Sequence, residues 1–305
     1  MITIFALRKA CLTFVLLLGA STLCAGHRGV DVSIRDGKDP SRCEDLTIWI
    51  DGGPAARAQD SLRIPAAAGR PLRVKVPDHS GIRVVGSDRA DFEVAVCKAA
   101  ASAGELSRIA ATESAGELSV RGPDGGAWAA YLLIAAPRDA SIELDAESAP
   151  IALRGLAGRV TARTVNGPIS LEDCSGRIDA EAENGPIQVS GSGGDLRLRT
   201  ANGPIGVALS GSAWSGAGLE ASAVNGPLQL AIPSGYRSGT IVESLGHSPF
   251  RCRGEGCASA RRTWDDRHKR LELGEGPAVV RLSTSNGPVS VRSGGDGEAA
   301  EDEEE

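Results

Sequence analysis

One tripeptide constrains this chain more than any other feature. Asn-Gly-Pro, followed by an aliphatic residue, stands at Asn166-Gly167-Pro168, Asn184-Gly185-Pro186, Asn202-Gly203-Pro204, Asn225-Gly226-Pro227 and Asn286-Gly287-Pro288. The first three copies are spaced by 18 residues, and Ser148 in "ESAPI" is a degenerate copy another 18 upstream. A fixed period of about this length marks a chain that folds as stacked copies of one unit, each unable to bury its apolar face alone.

Aligning the copies gives columns. The positions six, four and two before each bend hold Ile142, Leu144 and Ala146, then Val160, Ala162 and Thr164, then Ile178, Ala180 and Ala182, then Leu196, Leu198 and Thr200. After the bends come Ile151 and Leu153, Ile169 and Leu171, Ile187 and Val189, Ile205 and Val207. Small or aliphatic residues at every second position are the pattern of strands with one buried face. The intervening outward positions read Glu143 and Asp145, Thr161 and Arg163, Asp179 and Glu181, Arg197 and Arg199, so the sign alternates from copy to copy. If copies stack in register about 4.8 Å apart, each acid faces a base.

Asn-Gly alone signals a tight hairpin and would make an antiparallel meander. The proline opposes this, because it has no N–H to close the turn and pushes the preceding glycine toward extended backbone. Each Asn-Gly-Pro is therefore expected to be an open corner. There asparagine tolerates left-handed backbone and ladders its amide with the copies above and below. Gly158, Gly176 and Gly194 recur in the opposite bend. The expected fold is all-β: a parallel β-solenoid, β-helix-like, with coils of roughly 18 residues, preceded by an irregular β-rich N-terminal region. Only 3% of residues are aromatic, which suits a thin aliphatic core.

The chain divides accordingly. Residues 1–25 read as a secretion signal, with Arg8 and Lys9 before an apolar run and "LCA" before a cleavage expected near Ala25. The run is shorter than the roughly 20 residues of a membrane span, and no later segment is long and apolar enough to span. Lipidation at Cys24 is the alternative, opposed by the bulky Leu23. Residues 26–139 form the irregular region, in which "KAAASAGELSRIAATESAG" has room for a short helix. Residues 140–232 carry the repeats, 233–277 an insertion or cap, 278–293 a final coil, and 294–305 a disordered acidic tail. That tail holds seven acids and no base, so a chain of net −6 has a body of only +1. A nearly neutral body argues against nucleic acid as a partner.

Export places the cysteines in an oxidising compartment. Five follow the leader: Cys43, Cys97, Cys174, Cys252 and Cys257. Cys252 and Cys257, with His247 and His268 nearby, have the residue types of a zinc site. The compartment favours a small disulfide loop instead, and Cys43 and Cys97 are expected to pair as well. Cys174, at a turn position equivalent to Leu156 and Ser192, is left as a semi-buried thiol. No metal or other cofactor is expected.

The repeated "NGPI" corners behind a leader resemble a widespread bacterial family provisionally called adhesins, of otherwise unknown function, over roughly residues 138–292. The resemblance implies a β-solenoid exposed in the cell envelope and carries no catalytic residues. The expected function is a non-enzymatic, exported, adhesin-like protein. It binds an envelope or extracellular partner, glycan or protein, through flat charged faces with Arg163, Glu181 and Arg199 as contact residues. Two alternatives stand beside it. One is a polysaccharide lyase or hydrolase on a β-helix scaffold, opposed by the scarcity of rings for stacking sugars. The other is a structural envelope protein that self-associates end to end.

Overall fold

The computed structural model describes residues 29–34, 40–67, 69–78, 80–124 and 126–294. The leader with its cleavage position, Cys24 and the acidic segment 295–305 lie outside the described residues. Most strands belong to two long sheets of 11 and 12 strands, and a third sheet has 3. The long sheets are largely parallel, and neither closes into a barrel.

Each Asn-Gly-Pro carries the chain from one long sheet to the other. Arg159–Thr164, Arg177–Ala182, Gly193–Thr200 and Ser215–Ala223 approach the corners in the 12-stranded sheet, here the entry sheet. Ile169–Glu172, Ile187–Gly191, Ile205–Leu209 and Leu228–Ile232 leave them in the 11-stranded exit sheet. The two strands flanking a corner are thus never hydrogen-bonded to each other, which excludes the meander. Leu144 pairs with Ala162, Ala162 with Ala180 and Ala180 with Leu198, all parallel. In the exit sheet Ile151, Ile169, Ile187 and Ile205 form the matching series.

Corner chemistry explains the tripeptide. The carbonyls of Pro168, Pro186, Pro204, Pro227 and Pro288 accept from the N–H groups of Ile151, Ile169, Ile187, Ile205 and Leu228 at 2.9–3.0 Å. Proline thus joins the ladder through its acceptor alone, and its missing donor is not called upon. A Cβ on Gly185 would fall on the Gly167 carbonyl, and Gly203, Gly226 and Gly287 meet the glycine of the neighbouring corner in the same way. The corner needs glycine for lack of volume. Among the described residues only Asp51, Ala115 and Asp173 are non-glycines with left-handed backbone, so the asparagines do not use that freedom, contrary to expectation. Their amides do form the ladder: Asn184 donates to Asn166 at 3.1 Å, Asn202 to Asn184 at 2.9 Å, Asn225 to Asn202 at 3.0 Å and Asn286 to Asn225 at 3.0 Å.

The inward columns of both sheets form one continuous core. Each large aliphatic side chain buried there contributes about 1.5 to 3 kcal/mol. Thr164, Thr200 and Thr284 are buried in a column that also holds Val76, Ala146, Ala182, Ala223 and Ser244. The threonine hydroxyls donate to the carbonyls of Ala149, Gly185 and Gly226 at 3.4, 3.1 and 2.8 Å, which removes the penalty of a buried unpaired hydroxyl.

Upstream strands continue the same two sheets. Leu72–Val76 pairs parallel with Ile142–Ala146, and Ser80–Ser87 with Ile151–Arg154, so a further layer precedes the repeats without any Asn-Gly-Pro. Trp128–Pro137, Asp91–Ala100 and Ala56–Pro65 extend the exit sheet beyond it, the last two antiparallel. The alanine-rich stretch holds one four-residue helix, Ala103–Leu106, capped by Ser102. Val30–Ile34, Leu46–Ile50 and Gly53–Pro54 make the small sheet. Its Leu46, Ile48 and Ile50 pack on Ala99, Ala129, Tyr131 and Leu133, and the Cys43–Cys97 disulfide ties it there.

At the other end the chain order and the spatial order part. Glu275–Thr284 lies between Ser215–Ala223 and Ser238–Ser244, and Val289–Ser293 between Leu228–Ile232 and Phe250–Gly254. The Asn286 corner therefore stacks directly on the Asn225 corner, and residues 238–254 occupy the layer beyond. A helix, Glu255–Ser259, and the antiparallel pair Arg261–Trp264 and Lys269–Leu273 finish this end.

Candidate contact groove

In-register pairing turns the outward positions of the entry sheet into two straight columns. One reads Glu117, Arg73, Glu143, Thr161, Asp179, Arg197, Glu220 and Arg281. The other reads Lys75, Asp145, Arg163, Glu181 and Arg199 before becoming neutral at Ser222 and Ser283. The alternation seen in four copies thus continues into the upstream layer and past Asn225. "LRVKV" carried that signal, with Arg73 and Lys75 at outward positions, but without a corner motif nothing in the sequence aligned it to the repeats.

Arg163, Glu181 and Arg199 come together along one wall of a groove of about 940 Å3 that runs parallel to the stack. Its floor is Ala146, Thr164, Ala182 and Thr200, all buried. Its far wall is the row of residues preceding each corner: Glu147, Val165, Glu183, Ala201 and Val224. Val165 and Val224 are 39% and 50% exposed, among the few large apolar side chains in solvent. From Ala146 to Thr200 the column contains only alanine and threonine, so small side chains line the floor there.

The ion pairs of this wall are loose. Arg163 Nε lies 3.6 Å from Glu181, and Arg199 Nη1 reaches diagonally to Asp179 at 3.7 Å. Arg73 and Glu143, one layer upstream, meet at 2.9 Å. Pairs this exposed contribute no more than about 1 kcal/mol, so a ligand can exchange partners with them at little cost. The arrangement can hold an extended molecule by alternating charge, spaced contacts and two apolar points.

The second sequence-selected cluster is a disulfide. Cys252 and Cys257 are bonded, so their sulfurs cannot serve as thiolate ligands. His268 faces Glu243 at 3.4 Å, and no group of three or more metal-ligating side chains occurs among the described residues. Cys174 is the free cysteine among them, and burial raises its thiol pKa, which keeps it protonated and unreactive. No helix of the described residues is long and apolar enough to cross a membrane.

No family model and no curated protein matches the chain. Among solved structures, one from Clostridium sporogenes named provisionally as a cell adhesion protein is 10% identical with a TM-score of 0.33, covering 78% of this chain and 100% of its own. A provisional adhesin from Bacteroides fragilis gives 8% and 0.41 over 78% of this chain and 97% of its own. A provisional lipid binding protein from Parabacteroides distasonis gives 10% and 0.33 over 77% and 96%. At such scores and identities these likenesses carry nothing about function.

Proposed function

We propose that the protein is an exported, non-enzymatic, adhesin-like β-solenoid of 18-residue coils that binds an elongated envelope or extracellular partner, glycan or protein, along its entry-sheet face. The observation that carries this reading is the groove lined by Arg163, Glu181 and Arg199, whose charges are paired loosely enough to be taken over by a ligand. Export is supported by the leader-like first residues and by two disulfides, which persist in oxidising compartments. End-to-end assembly is disfavoured because antiparallel strands, a hairpin and a helix terminate the stack at its two ends.

The test is binding of the mature chain, from Gly26 onward, to isolated cell envelopes and to their glycan and protein fractions. Combined Arg163→Ala, Glu181→Ala and Arg199→Ala substitutions should abolish saturable binding while leaving the melting temperature within a few degrees. Gln188→Lys on the opposite face should leave binding intact. Equal binding by all three chains would refute the groove. Loss of polymer viscosity on adding the wild-type chain would favour the polysaccharide-cleaving alternative.

A further inference from the structure

The end of the stack holds a second cleft, of about 850 Å3, distinct in chemistry from the groove. Arg237, Arg261, Arg270 and Arg281 line it against Glu272 and Glu275. In a body whose net charge is only about +1, this is a local concentration of guanidinium groups. Arg261 and Arg270 share Glu272 at 3.2 and 2.7 Å, and Arg270 also reaches Glu243 at 2.8 Å. Arg237 and Arg281 have no ion pair among the described residues. The cleft opens where the pairing of Ser238–Ser244 with Glu275–Thr284 slips twice in register, with Gly274 and Gly276 at φ near +75°.

Two further facts give the cleft an occupant. Ser293 and Ile232 line it, and Gly294, the last described residue, donates its N–H to the Ile232 carbonyl at 3.0 Å. The last described residue therefore stands at the wall of the arginine cleft. Beyond Gly294 come residues 295–305, with seven acids and no base. Eleven residues span up to about 36 to 40 Å when extended, so the segment is long enough to bring acids to a cleft whose wall holds Gly294's neighbour Ser293. Tethering raises the local concentration of these carboxylates to the millimolar range, where even exposed arginines hold them.

We propose that the cleft is an anion-binding site and that its occupant is the chain's own acidic segment, residues 295–305. The segment is a tethered ligand that competes with other polycarboxylates for these arginines.

A fluorescent hexaglutamate peptide, titrated at low ionic strength, tests this on three full-length mature chains. The wild type should bind it weakly. A chain whose seven acids in residues 296–305 are replaced by their amides should bind at least about tenfold more tightly, since the competing segment is neutral. Adding Arg237→Gln and Arg281→Gln to that chain should return binding to the wild-type level or below, with an unchanged melting temperature showing that the fold is intact. Equal binding by wild type and amide chain would overturn the occupancy. Absence of binding by the amide chain, or binding that survives loss of both arginines, would overturn the site.

Discussion

On the entry sheet one outward column reads Asp145, Arg163, Glu181, Arg199; on the exit sheet the corresponding column reads Ala152, Ser170, Gln188, Gly206. The two faces share the same layers and inward packing. In-register parallel stacking places equivalent side chains about 4.8 Å apart, so a charge repeated from layer to layer would repel itself along the whole stack. The entry face meets this by alternating sign; the exit face, within the repeat layers, largely omits charge, apart from Arg154 and Glu172 paired at 3.3 Å, and carries its arginines outside those layers, at Arg83 on one side and at Arg292 opposite Arg253 on the other. Gln188 even lies over Gly206, which has no side chain to oppose it. The repeat thus constrains the inside strictly and the outside only by charge compatibility. Within the repeat layers the entry face is therefore the more highly charged of the two.

The largest expected effect tests what the faces share. Ile187→Ala in the exit sheet and Leu198→Ala in the entry sheet should each cost about 2 to 5 kcal/mol, and similarly, because both side chains enter one core. Markedly unequal denaturation midpoints would mean that the sheets are separately packed. Next is the corner joining them: Gly185→Ala should cost about 1 to 3 kcal/mol, since its methyl meets the backbone of the adjacent corner, which cannot move aside. A neutral result from urea denaturation would remove the close approach from the explanation of the tripeptide.

Outward substitutions separate the two faces. Glu181→Arg puts a guanidinium between Arg163 and Arg199 and should destabilise by no more than about 1 kcal/mol, an effect that shrinks with added salt. Gln188→Arg, in the same layer on the other face, should change stability by less than about 0.5 kcal/mol at any salt concentration. If the two behaved alike in salt-dependent melts, the sign alternation would be incidental.

Much of this was legible in residues alone. Period-two alternation gave the strands, the proline after Asn-Gly argued for a corner over a hairpin, and the outward signs anticipated the ladder. The left-handed role given to asparagine was mistaken because the glycine's missing side chain, not an unusual φ, lets the layers approach. The layer made by Leu72–Val76 and Ser80–Ser87 escaped alignment because its corner is not Asn-Gly-Pro. Local alternation without a repeated landmark sets a strand but not its neighbour.

Residues alone dictate whatever depends on nearest neighbours: the 18-residue spacing of the first corners, the inward columns, the amide ladder and the compatibility of charges. The order of layers at the far end emerges from the assembled fold, where Val280, Leu282 and Thr284 insert between Leu219, Ala221 and Ala223 on one side and Thr240, Val242 and Ser244 on the other. These small and aliphatic sets are interchangeable as neighbours, so no local rule selects which layer receives the last coil. That choice brings Ser293 and Gly294 to the wall of the arginine cleft, because a position in a stack is set by everything already stacked.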